Sequence, residues 1–152
     1  MLFVEVDDKE TCRQVKHFFN KRFDHYLNLS GNRRFNLKSP IINGMPKADR
    51  NINRQDLMML RIFHAQKIVE CVSDAINECT NTVDKPYKAI LIGSYFEHKT
   101  LTQIRKELGF TSHQQTKLSN LKNKALIEFA ERFEGSQQRK EVEPMVKLVA
   151  LF

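Results

Sequence analysis

In several stretches of this chain apolar residues recur at intervals of three and four, the spacing of one face of a helix. The pattern predicts a first helix over residues 8–29, with Val15, Phe18, Phe19, Phe23, Tyr26 and Leu27 on one face and Arg13, Lys16, Lys21 and Arg22 mostly off it. Ser30-Gly31-Asn32 closes it, because glycine takes the left-handed conformation that follows helices. A second helix is predicted over 54–79. Met58, Ile62, Ala65, Val69, Val72, Ile76 and Cys79 follow a 3–4 repeat, and a flanking stripe holds Leu57, Leu60, His64, Ile68, Cys71 and Ala75. Two apolar stripes both need cover. Either the first helix takes one and a second copy of the chain the other, or the first helix, the third helix and the C-terminal tail cover both within one subunit. His64, inside an apolar stripe, reads as a core histidine with a satisfied hydrogen bond.

Farther on, Asp84 is expected to cap a third helix with Pro86 in its first turn and Tyr87, Ile90, Leu91, Tyr95 and Phe96 as its apolar positions. A short amphipathic helix follows over residues 100–108, with Leu101, Ile104 and Leu108 inward. Gly109 supplies a left-handed corner. A longer helix is predicted over about 114–133, its core face made by Leu118, Leu121, Ala125, Leu126 and Phe129. Gly135-Ser136 is expected to break it, and residues 137–141 read as a polar tether. The apolar end, from Pro144 to Phe152, either docks on its own domain or serves a partner.

The fold class is therefore all-α: N-terminal helices plus a C-terminal helix-turn-helix. Residues 1–83 form an N-terminal helical region, 84–135 the helix-turn-helix unit and 136–152 a tail. Within the first region, residues 30–53 break the periodicity and carry Pro40, Gly44 and Pro46. From Ser30 to Arg54 there are six Lys or Arg against one acid, Asp49, so this linker is either a solvated tether or an arm that touches phosphates.

Composition adjusts this picture at four points. Only 5 glycines and 4 prolines in 152 residues favour long helices over a turn-rich β fold. No apolar run reaches the ~18–20 residues of a membrane span, and the acidic start lacks the pattern of a secretory leader, so a cytoplasmic, non-membrane protein is expected. The three cysteines, Cys12, Cys71 and Cys79, form no CxxC pair and read as small buried hydrophobes. The formal net charge of +7 points to a polyanion.

Where that charge sits matters more. Short helix, glycine corner and longer helix make the helix-turn-helix pattern. A helix that reads DNA must present short polar and basic side chains to base edges and phosphates. Between Gly109 and Lys124 there is no Asp or Glu, and the outer face offers amides, hydroxyls and lysines. Six residues after the glycine, where this pattern usually has an apolar residue, stands Gln115. A turn lengthened to about His113 puts Leu118 and Leu121 inward instead. In that register the DNA-binding set is Gln115, Thr116, Lys117, Ser119, Asn120 and Lys124, with Lys122 adding a phosphate contact.

Two stretches carry a family resemblance. One is Leu37-Lys38-Ser39-Pro40 through Gly44-Met45-Pro46-Lys47. The other runs from Ile104 to Leu108-Gly109 and on through Leu121-Lys122-Asn123-Lys124-Ala125-Leu126-Ile127-Glu128-Phe129-Ala130. Together with the helix order they resemble the ArpU (autolysin regulatory protein-like) family, phage and prophage regulators of late, packaging and lysis genes in Gram-positive bacteria. The run from Leu121 to Leu126 is also similar to the part of sigma factors that reads the promoter −35 element. The resemblance implies a sequence-specific transcriptional regulator that binds double-stranded DNA. Whether RNA polymerase is also a partner is left open, and a second copy of the chain is the partner that the two apolar stripes of the second helix suggest.

An enzyme is not expected. There is no glycine-rich phosphate loop, HExxH or nucleophile elbow, and no cofactor or metal motif. His98 and His113 flank the helix-turn-helix and read as surface histidines. The alternative within the same class of fold is a helical adaptor that binds RNA polymerase or a sigma factor without reading DNA.

Overall fold

The structure is a computed structural model and describes residues 4–32 and 54–152. The basic linker of the sequence reading falls, apart from its first three residues, outside them. Among the described residues the chain is all-helical. No strand forms, and β pairing is limited to two isolated bridges.

Helix α1 (Asp8–His17) starts where the Asp7 carboxylate accepts the Glu10 backbone N–H at 3.2 Å. It runs on through a π turn at Phe18–Arg22 into α2 (Phe23–Ser30). The path is the expected single helix with one wide turn in it. Its cause is visible in the aromatic spacing. A π turn brings residues five apart together: the Phe23 N–H bonds to the Phe18 carbonyl and the two rings lie 5.6 Å apart. Phe18, Phe19 and Phe23 are all buried as a result. Gly31, at φ +78°, ends α2 as expected.

Helix α3 (Arg54–Glu78) buries Ala65, Ile68, Val69, Cys71, Val72, Ala75 and Ile76. These belong to both apolar stripes. From Ala65 onward the cover comes from the same chain, so no second copy is needed there. Of its large apolar side chains only Leu57, Met58, Met59 and Leu60, in the first turns, stay exposed. His64 is satisfied by the tail, its Nε2 2.7 Å from the Pro144 carbonyl.

Helix α4 (Tyr87–Tyr95) begins later than expected, and Asp84 does not cap it. Instead residues 82–85 close on themselves: Thr82 Oγ1 accepts the Lys85 N–H at 3.0 Å, and the Thr82 N–H donates to the Lys85 carbonyl. That turn leaves Asp84 exposed and makes Pro86 the residue that enters the helix.

The last two helices are α5 (Leu101–Glu107) and α6 (Gln115–Arg139). α6 does not stop at Gly135-Ser136, and the polar tether is in fact its last turn and exit. An interior glycine costs a helix about 1 kcal/mol. Tail packing offsets that cost. Gln137 is buried, its Nε2 donating to the Val146 carbonyl at 2.8 Å and its Oε1 accepting the Val146 N–H at 2.7 Å. This two-way bond holds the tail so that Val142, Val146 and Leu148 are buried. The tail ends against the start of the chain, where the Asp7 N–H donates to the Ala150 carbonyl and Val6 bridges Leu151. One continuous core results, fed by all six helices and the tail. Phe19 joins its halves, stacked on Tyr95 at 4.4 Å and packed on Phe129 at 4.9 Å.

Candidate nucleic-acid interface

The segment from α4 to α6 is built by close approach and capping. Gly93 of α4 faces Ile104 of α5, and a β-carbon at Gly93 would stand 3.0 Å from the Ile104 side chain. A larger residue there would force the Ile104 side chain to shift. The first turn of α5 closes with a reciprocal cap: the Gln103 N–H donates to Thr100 Oγ1, and Gln103 Oε1 accepts the Thr100 N–H at 2.8 Å. At the other end Gly109 takes φ +78°, and the Phe110 N–H returns to the Arg105 carbonyl at 3.0 Å. Arg105 Nη1 also donates to the Phe110 carbonyl. A single 3-10 turn at Ser112–Gln114, capped by Thr111, then leads into α6. Leu118 and Leu121 are inward, as the lengthened turn requires, and Gln115 is only half-buried.

The proposed contact residues fall into two groups. Thr116, Lys117, Asn120 and Lys124 are exposed. Their spacing of one, three and four residues puts them on one outer face of α6. Lys117 leans on the turn, its Nζ 5.6 Å from the Phe110 ring centroid. Gln115, Ser119 and Lys122 form the second group and are half-buried along the flank of the helix. Lys122 lies two residues past Asn120, hence roughly 200° round the helix. Its Nζ sits 5.2 Å from the Tyr95 ring centroid. Burial first, and the charge of Lys16 second, push its pKa below the usual lysine range. The structure thus sets Lys122 apart from the four exposed residues.

Sequence reasoning missed what covers the middle of α6. Helix α1 packs across it there, with the Cys12 thiol donating to the Asn123 carbonyl at 3.4 Å. Burial pushes the Cys12 thiol up, away from the thiolate. Between the two helices runs an open groove of about 770 Å³. Asn120, Asn123, Lys124 and Ile127 line one side of it, and residues of α1 and its cap, from Asp7 to Lys16, line the other. The sequence held one signal for this. Ile127 is apolar yet lies off the face defined by Leu118, Leu121, Ala125 and Phe129, and a half-buried isoleucine outside the main stripe marks a second covering element.

In sequence the chain is similar to an Enterococcus hirae regulator. The relative is named "Putative autolysin regulatory protein ArpU". It is 28% identical over 134 residues, which span 87% of this chain and 92% of that protein. No family profile matches the chain. No solved structure matches it.

Among the described residues no group of three or more His, Cys, Asp or Glu could hold a metal ion, and no helix is long and apolar enough to cross a membrane. Cys12, Cys71 and Cys79 are free and buried. Burial, with Glu128 nearby, pushes the Cys79 thiol up to about 12.

Proposed function

We propose that this protein is a DNA-binding transcriptional regulator of the ArpU type, acting on phage or prophage late genes. In this reading α5, the Gly109 corner and α6 are a helix-turn-helix, and α6 enters the major groove by its N-terminal turns. One observation carries the reading. The front of α6 presents Thr116, Lys117, Asn120 and Lys124 outward on a stretch free of acids from Gly109 to Lys124. Asparagine can bond adenine at two atoms, and lysines neutralise phosphates. Gln115 and Ser119 lie at the edge of that surface, and Lys122 serves phosphates from the flank. The name of the Enterococcus hirae relative supports a regulatory role.

Selection of bound duplexes from a random pool tests this directly. A recurring motif of a few base pairs is the expected outcome. Enrichment without any common motif, or no binding at low salt, contradicts it.

A second reading has its own observation. Leu57, Met58, Met59 and Leu60 expose four consecutive apolar side chains at the start of α3, a surface suited to protein contact. An adaptor that grips RNA polymerase or a sigma factor would use it without DNA. Capture of polymerase from nuclease-treated lysate, with no duplex selected, would favour that reading.

A further inference from the structure

The packing of α1 on α6 places a second set of cations beside the proposed reading surface. Of those on α1 that line the groove, Arg13 is held by Glu10, at 2.9 Å from Nε and 2.5 Å from Nη2. That pairing holds the Glu10 carboxyl down at about 2. Lys9 stands in the turn that carries Asp7, Asp8 and Glu10. Lys16 differs from both. It is exposed, one turn or more from those acids, and has no carboxylate partner among the described residues. It lines the same groove as Asn120 and Lys124. Its charge also reaches Lys122, the half-buried lysine over Tyr95. Two ammonium groups set near each other without an acid repel, and an anion between them removes that repulsion.

We propose that Lys16 contacts a backbone phosphate of the same duplex that the front of α6 reads, making α1 a second DNA-contacting element. This inference rests on the DNA-binding reading given above. The geometry gives the two helices separate tasks. The N-terminal turns of α6 carry the side chains that can distinguish bases, and α1 supplies charge at the flank of the footprint. The acids at its start, Asp7, Asp8 and Glu10, line the same groove and repel the backbone, so the contact from α1 is confined to Lys16.

The test is duplex binding at several salt concentrations with the intact protein, using the selected duplex and a random one. One neutralised phosphate contributes about 0.9 to the slope of log affinity against log salt, so at 0.1 M salt its loss costs about eightfold. Lys16→Gln should weaken both duplexes by about that factor and flatten the slope by about one. Lys16→Arg should retain binding. Lys85→Gln, in the exposed 82–85 turn, should change neither quantity, and the far-UV spectra of all three should match the parent protein. Parent-like affinity and slope in Lys16→Gln would overturn the inference and leave the DNA-binding reading standing. So would a loss on the selected duplex alone, which would make Lys16 a base reader. Failure of the parent protein to bind any duplex would remove both.

Discussion

The two ends of α6 share one helix and have opposite surroundings. In its last turns Phe129, Phe133, Ser136 and Gln137 are enclosed by α1, α3, α4 and the tail, and each side chain has its place fixed by neighbours. In its first turns only Leu118 and Leu121 face inward, and Thr116, Lys117 and Asn120 stand in solvent. The rear is thus an anchor. It spends its apolar face on the fold and leaves the front rigid but uncovered. A binding surface carried on a well-anchored helix loses little conformational freedom when a partner arrives. α3 differs in that its exposed first turns carry the apolar run Leu57, Met58, Met59 and Leu60 between Gln55 and Arg61.

If that division is right, substitutions at the rear should act on stability. The largest effect is expected for Phe133→Ala. The ring is fully buried and packs on Phe18 and Phe129 at 5.5 and 5.4 Å. Its truncation should cost about 3–5 kcal/mol in urea unfolding. A loss under about 1 kcal/mol would mean that the rear is not the anchor. Gln137→Ala comes next. It leaves the Val146 N–H and carbonyl without their partner in a buried site, which should cost about 2 kcal/mol. It should also loosen the tail, seen as faster amide exchange at Val146 and Leu148. Unchanged exchange would show that the tail holds without this bond.

Much of this arrangement was legible in the sequence where periodicity decides structure. The helices near 8–30 and 54–78, the inward pair Leu118 and Leu121, and the corner at Gly109 follow from apolar spacing and from the one residue that favours φ near +78°. What escaped depends on partners distant in sequence. Gly135-Ser136 is a local break signal, and it was overridden by the bond between Gln137 and Val146 and the burial of the tail. Asp84 has the residue type and position of a cap, but the pairing of Thr82 with Lys85 takes up that turn. The π turn at Phe18 satisfies ring packing that no helical wheel displays. Sequence spacing alone does not separate Gln115 and Ser119, half-buried on the flank, from the exposed residues, nor does it show Lys122 lying over Tyr95. The covering of α6 by α1 was foreshadowed only by Ile127. The basic stretch from Arg33 to Ile52 lies outside the described residues.

The front of α6 gives the smallest expected change in stability and the largest in recognition. Asn120 is exposed, so Asn120→Ala should alter unfolding by no more than about 0.5 kcal/mol. Its bidentate contact to a base is worth about 1–3 kcal/mol of discrimination. The deciding measurement is the ratio of affinities for the selected and random duplexes, compared between the parent protein and Asn120→Ala at one salt concentration. The account predicts that the ratio falls by roughly 5- to 150-fold, the same energy expressed as a factor, with affinity for random DNA nearly unchanged. An unchanged ratio, with both affinities intact or both reduced alike, would contradict the claim that the front of α6 reads sequence.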